Sequence, residues 1–286
     1  MSTPETAVPT RWNHSPKTWD KRLKFADILG KACASQGVAL EWLDEEKWAG
    51  VMHAPSGRSA PVYGYDLGLN SAAAAKIADS KADTYAVLRH HGIPAIQHER
   101  ISPFLTDGSR LSEQRRRSIL AAASLGLSLV LKPDAGHSSG SGVELCETEE
   151  EVAAYMRAAG DTPSAASPFK QFDEYRVVVL DGQARGVIEK HLDPSGWMHN
   201  QSKGSSRTLL SKDSDLYPQL GELGVATAGA LDLRFTTVDI TREHERADLA
   251  VLEANDVVSV VYPATTDIGQ FGRELYADAV ALRLSA

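Results

Sequence analysis

FTTVDITREHERADLAVLEAN, residues 235–255, reads as two strands joined by the charged turn REHERA. If the strands pair about a turn centred on Arg246, Asp239 and Glu253 fall opposite one another, because each lies seven residues from it. Strand side chains alternate between faces, so Asn255, two residues beyond Glu253, shares that face. Directly opposed Cβ atoms sit about 4.5–5.5 Å apart, where two carboxylates repel, so something must compensate. Magnesium would: hard cations take carboxylate and amide oxygens and accompany triphosphates. A slip of one residue would instead turn one carboxylate to solvent, and the strand pattern alone does not choose between the registers.

Upstream, LVLKPDAGHSSGSGVELC (129–146) ends an apolar run, read as a buried strand, that delivers Lys132 to a loop of small residues. Gly136, His137, Ser138, Ser139, Gly140, Ser141 and Gly142 form that loop. Small residues let backbone N–H groups close on an anion, serine hydroxyls add donors, and the lysine supplies a point charge. The spacing matches neither GxxxxGK[ST] nor GxGxxG, and a plain flexible turn reads equally well from this segment alone. YRVVVLDGQARGVIEKH (175–191) is a hairpin about Asp181-Gly182, a dipeptide that accepts positive φ. Pairing brings Arg176 and Lys190 together at one end, a like-charge pair that calls for an anion between them. Lys81, in a helix over 76–91, adds another cation.

The wider composition narrows the classes. Lys and Arg total 30 against 38 Asp and Glu, a net charge of -8, which disfavours a nucleic-acid partner; Arg115–Arg117 reads as a solvated helix face. No window is apolar enough to span a bilayer, and the opening residues hold no apolar signal core, so the cytoplasm is the expected location. Cys33 and Cys146 alone build neither a disulfide framework nor a zinc site. Helical spacing of Phe25, Ile28, Leu29, Ala32 and Cys33 before VALEWL predicts an αβ unit, and PVYGYDLGLN (61–70) a further strand. One long helix is expected over 71–91, and another over 217–233 with Pro218 in its first turn. Trp12, Trp19, Trp42 and Trp48 crowd the amino-terminal segment, where they are expected to pack a small core or an interface.

Taken in order, ADSKADTYAVLRHHGIP (78–94), LVLKPDAGHSSGSGVELCETEEEV (129–152), KQFDEYRVVVLDGQARGVIEKH (170–191), WMHNQSKGSS (197–206), TTVDIT (236–241) and VLEAN (251–255) resemble the ATP-grasp superfamily. The branch in question comprises ribosomal-protein glutamate ligases, glutathione synthetases and cyanophycin synthetases, and the likeness covers roughly residues 68–286. The resemblance implies an α/β (α+β) architecture with two α+β lobes, 76–170 and 171–286, holding ATP between them. A short α/β domain, 1–75, precedes them.

It further implies that Lys81 and Lys132 meet the ATP phosphates under the loop from Gly136 to Gly142, and that Gln171, Phe172 and Asp173 frame the adenine. Arg176, Lys190 and Asn200 would serve the transferred phosphoryl group and the acceptor. Asp239, Glu253 and Asn255 would hold two magnesium ions, with manganese as an alternative. The implied reaction joins a small carboxylate to an amine, such as that of an amino acid or peptide, through an acyl phosphate, releasing ADP and phosphate. An ATP-grasp kinase acting on a hydroxyl, or a nucleotide-binding module without turnover, are the competing readings. A homodimer is the family's habit.

Overall fold

The computed structural model describes residues 16–101, 128–136, 142–160, 162–193 and 205–285, together with 113, 117, 119, 120, 123, 196, 197 and 199. The chain divides into two compact units, Met1–Gly68 with Val260–Pro263 and Gly272–Ala286, and Leu69–Ser259 with Ala264–Phe271.

In the first unit, helix α1 (Pro16–Ser35) buries Phe25, Ile28, Leu29, Ala32 and Cys33, the face its spacing predicts. Gly37 closes it at φ +66°, with Val38 N–H donating back to the Cys33 carbonyl. Strands β1 (Ala39–Trp42), β2 (Ala49–His53) and β3 (Ser59–Tyr63) follow as an antiparallel meander. This corrects the α/β expectation, which overlooked β2. The connections 43–48 and 54–58 are far too short for the crossover that parallel strands need, so the unit is α+β. Trp42 and Trp48 pack with Phe25 around the buried Arg22 guanidinium, whose carbon lies 4.9–5.3 Å from the three ring centroids. Trp12 and the side chain of Trp19 lie outside the described residues.

The second unit contains two antiparallel sheets. The predicted long helix is two helices, α2 (Ala72–Asp79) and α3 (Lys81–His90), broken at Ser80, which is extended at φ −96° and ψ 122°. Ser80 caps both: its N–H donates to the Ile77 carbonyl, and its hydroxyl accepts from Asp83 N–H. The break makes Lys81 the first residue of α3. The smaller sheet has the order β4-β7-β5-β6, from β4 (Glu99–Ile101), β5 (Leu129–Pro133), β6 (Glu144–Cys146) and β7 (Ser164–Pro168). Helix α4 (Glu149–Ala159), fixed by a Thr148/Glu151 capping box, places Val152 and Tyr155 in a core with Leu129, Leu131 and Cys146.

The larger sheet has the order β10-β9-β8-β11-β12, from β8 (Phe172–Leu180), β9 (Gln183–His191), β10 (Ser206–Leu209), β11 (Phe235–Glu243) and β12 (Leu249–Asn255). Asp181 and Gly182 make the expected two-residue turn at φ +50° and +73°. β10 starts at Ser206, the last residue of WMHNQSKGSS. Helix α5 (Leu216–Ala230) covers one face, where Tyr175, Val177, Val179, Val238, Ile240 and Val251 join Leu220 in the core. The opposite face carries the charged residues. Helix α6 (Asp267–Ser285) closes the described chain and was not foreseen; its residues through Phe271 belong to the second unit and the remainder to the first. Among the described residues no helix is long and apolar enough to cross a membrane.

Candidate active site

β11 and β12 pair with Asp239 opposite Glu253 and Thr237 opposite Asn255, the register that the arithmetic about Arg246 gives. A bulge between Asp239 and Ile240 then shifts the pairing by one residue, so the correspondence holds at the site and not in the outer half of the hairpin. On its other side Asp239 pairs with Arg176 of β8. Arg176, Asp239 and Glu253 therefore form one row across three adjacent strands, facing away from α5. The row exists because β11, buried along most of its length, is central in the sheet.

The compensation for the opposed carboxylates comes from the protein's own cations. Arg176 grips Asp239 with both prongs, Nε to Oδ1 and Nη2 to Oδ2, each at 2.7 Å, and Lys190 Nζ lies 2.8 Å from Oδ2. Lys190 also hydrogen-bonds Glu174, whose other oxygen lies 3.5 Å from His199 Nδ1. The anion expected between Arg176 and Lys190 is thus Asp239 itself. Lys190 pairs across the strands with Glu174, and Arg176 with Ile188, so the two cations are diagonal neighbours. Asp239 is 1% exposed. Burial opposes its charge, but Arg176 and Lys190 outweigh burial and hold its carboxyl well below the usual carboxylate range. Burial likewise opposes the Arg176 charge, and Asp239 more than offsets it, raising that pKa.

Lys132 stands on β5 of the smaller sheet, near enough to feel the charges of Glu253 and Glu174. Burial pushes its pKa down to about 8, against the charge of Glu253, while Lys81 adds a like charge. Lys81 is set by Asp134: the Asp134 carbonyl accepts from Lys81 N–H at 3.1 Å and from Lys81 Nζ at 3.4 Å. The Asp134 carboxylate in turn accepts from Ala82 N–H, Ser80 Oγ and Arg100 Nε, each at 2.9 Å. Asp134 therefore joins the end of β5 to the start of α3, fixing both lysines at once. Gly136 begins the small-residue loop at φ +74°, its N–H donating to Asp79 Oδ1 at 3.0 Å. At the far end Gly142 sits at φ +70°, where a Cβ would come 3.0 Å from Pro133 Cγ. His137, Ser138, Ser139, Gly140, Ser141 and Asn200 lie outside the described residues.

Beside the charged row is a cavity of about 270 Å³, lined by Ala95–Gln97, Pro168, Lys170, Phe172, Thr241, Glu243, Asp248 and Ala250. Lys170 and Glu243 bridge at its edge at 2.9 Å. Phe172 lines this cavity and stacks on His199 at 5.4 Å between centroids. Gln171 and Asp173 turn to His244 instead, the Gln171 carbonyl accepting from its N–H and the Asp173 carboxylate lying 3.1 Å from Nε2. Glu174, His199, Asp134 and Arg100 escaped the sequence reading as site residues. Glu174 was legible in principle, as the hairpin register that pairs it with Lys190 follows from Asp181-Gly182.

Glu253 and Asn255 share a half-exposed edge of β12, and Asn255 spends its Nδ2 on the Thr237 carbonyl, leaving the amide oxygen as donor. Among the described residues Asp239 Oδ1 accepts from Arg176 alone, so one lone pair remains, whereas Oδ2 serves both cations. The set fits a hard cation, with Asp239 as its most encumbered member. Among the described residues no group of three His, Cys, Asp or Glu side chains is already gathered as a metal site.

No protein-family model matches the sequence. Comparison with curated proteins likewise finds no match. Solved structures do match. D-alanine–D-alanine ligase from Bacillus anthracis, solved with ATP, aligns at TM-score 0.56 with 14% identity, over 75% of this chain and 67% of that one. The D-cycloserine synthetase DcsG aligns at 0.55 with 22% identity, over 73% and 71%. The ATP-grasp ligase PsnB, complexed with a minimal precursor, aligns at 0.52 with 17% identity, over 75% and 64%. The chain has the ATP-grasp fold.

Proposed function

We propose that this protein is an ATP-dependent carboxylate–amine ligase, a carbon–nitrogen bond-forming enzyme that releases ADP and phosphate. The observation that carries the reading is the row Arg176–Asp239–Glu253 within the ATP-grasp fold, with Lys132 near enough to feel the Glu253 charge. The solved proteins of this fold include ligases of D-alanine, D-cycloserine and glutathione synthesis. The smaller and larger sheets are the two lobes, meeting near residues 170 and 171, and the cavity at Phe172 takes the nucleotide base. Lys81 and Lys132 meet the phosphates beneath the loop from Gly136 to Gly142.

Phosphoryl transfer to the substrate carboxylate gives an acyl phosphate, and attack by the amine then expels phosphate through a tetrahedral intermediate. No side-chain nucleophile is needed; the chain's task is to hold charge where it accumulates. Lys132 and Arg176 offset the charge of phosphate and carboxylate, and Asp239 and Glu174 keep Arg176 and Lys190 in place. Glu253, Asn255 and Asp239 Oδ1 would hold magnesium, which supplies Lewis-acid neutralisation of the phosphate oxygens. The acceptor is an amine of an amino acid or small peptide, and the enzyme works in the cytoplasm. A Glu253→Gln/Asn255→Ala double variant is expected to lose ADP formation by more than a hundredfold while keeping its circular dichroism and unfolding midpoint. Full turnover in that variant would contradict the assignment.

A further inference from the structure

Asn70 directly precedes Ser71, the N-cap of α2, and the chemistry above does not use it. Its amide meets four backbone groups at the open end of the β11–β12 hairpin. Nδ2 donates to the Phe235 and Asp256 carbonyls, each at 2.7 Å. Oδ1 accepts from Arg234 N–H at 2.9 Å and from Phe235 N–H at 3.0 Å. Two donors and two lone pairs on the oxygen are all that an asparagine amide offers, so the group is fully engaged. Its orientation follows from the partners, since carbonyls can face only Nδ2 and N–H groups only Oδ1. The partners lie 164 to 186 residues away in the chain, so this tie comes from outside the hairpin.

The tie falls where the hairpin has least support of its own. The connecting turn is at the other end, and the bulge between Asp239 and Ile240 interrupts the pairing in between. Thr237 with Asn255 is the last pair before the open end. Phe235 opens β11, and Asp256 follows Asn255, the last residue of β12. Thr236 Oγ1 donates to the Asn255 carbonyl at 2.7 Å, so two successive carbonyls are held, one by β11 and the next by Asn70. The backbone at 255–256 sets where the Asn255 amide and, two residues back on the same face, the Glu253 carboxylate stand against Asp239. Helix α2, which Asn70 leads into, shares a core with β12 through Ala74, Ala78, Val251 and Ala254.

We propose that Asn70 is a positioning residue for the divalent cation: by holding the backbone of both strands at their open end, it sets the spacing of Glu253 and Asn255 from Asp239. The proposal rests on the magnesium reading above. Magnesium demands oxygens at about 2.0–2.1 Å in a near-octahedral array, so strand ends free to drift apart cost affinity. Asn70 touches none of the cations or cavity residues assigned to the phosphates and the base. Its loss therefore removes the part of the nucleotide affinity that passes through the metal and leaves the rest.

The test is calorimetric binding of ADP to the full chain, once with manganese and once with EDTA, so that the ratio of the two dissociation constants isolates what the metal adds. Asn70→Asp keeps the volume and the acceptor but turns an oxygen toward two carbonyls. It should reduce that ratio by about tenfold or more while the constant in EDTA stays within about threefold of the parent. The loss is expected despite the added negative charge, which by itself attracts a cation. Asn70→Ala, which adds no charge, should show the same loss. An unchanged ratio in the folded variants, or an equal weakening of ADP with and without metal, would make Asn70 purely structural and overturn the proposal. A measurement on the unaltered protein decides the matter if neither variant folds. Because coupling is reciprocal, magnesium should slow hydrogen exchange of the Arg234 and Phe235 amides by about threefold or more relative to ADP with EDTA, and unchanged exchange overturns the proposal. If the metal has no effect on ADP binding by the unaltered protein, the magnesium reading fails, and if ADP does not bind at all, the nucleotide reading fails; the proposal falls with either.

Discussion

Asp239 illustrates how one residue serves two demands. As a buried carboxylate it is tolerable only because Arg176 and Lys190 surround it, and those cations in turn stay in place because it is there. Removing it strands two charges, one of them on a lysine side chain only 2% exposed. Asp239→Asn is therefore expected to cost about 3–5 kcal/mol at neutral pH, read from urea unfolding. The pH dependence has a definite sign. A carboxyl held well below its unfolded value contributes stability that is complete above about pH 4 and drains away as acid protonates it in the folded state. The gap between parent and variant should accordingly shrink between about pH 4 and pH 2; a gap constant over that range would show that Asp239 is not the ionised partner. The opposition of Asp239 and Glu253 was legible because both belong to one hairpin. Asp134 was not, because its partners Ser80 and Arg100 lie 54 and 34 residues away in the chain. Nothing in LKPDAG marks that carboxylate as a joint between β5 and α3.

At the scale of elements, alternation and turn chemistry carried the reading furthest. The hairpin at Asp181-Gly182 and the strands around REHERA are local structures, with pairing set by a handful of neighbouring residues. Ser80 shows where local reading fails: alanines on both sides propose an unbroken helix, and the capping serine between Asp79 and Lys81 wins because Asp134 and Arg100 reward the break. β10 and α6 were missed for lack of contrast, β10 being a short edge strand and α6 a helix whose residues serve two units. Packing of α5 on β8 supplies a sharp element-scale prediction. A Cβ on Gly224 would sit 2.6 Å from Val177 Cγ1, inside the core that backs the charged row. Gly224→Ala should thus destabilise by about 1–3 kcal/mol through overpacking, although alanine is the better helix former by about 1 kcal/mol. A raised thermal midpoint in that variant would show that the helix shifts freely on the sheet.

For the molecule as a whole, the order of six short motifs made the ATP-grasp architecture readable, although no sequence family model matches and the similar structures cited above share 14–22% identity. What stayed illegible is the first unit, where a three-stranded meander stands in place of the expected α/β arrangement. Its core is built on Phe25, Met52, Leu67 and Tyr276, and Tyr276 comes from the distant C-terminal helix. The measurement that tests the central claim most directly is a parallel count of ADP and free phosphate. The protein and magnesium-ATP would be given pooled amino acids and small carboxylic acids. Carboxylate–amine ligation predicts equal ADP and phosphate that appear only with the pool, and a condensed product that incorporates its members. ADP without matching phosphate would mean transfer to a stable hydroxyl acceptor, and no pool-dependent turnover would mean that the site binds nucleotide without ligating; either result contradicts the claim.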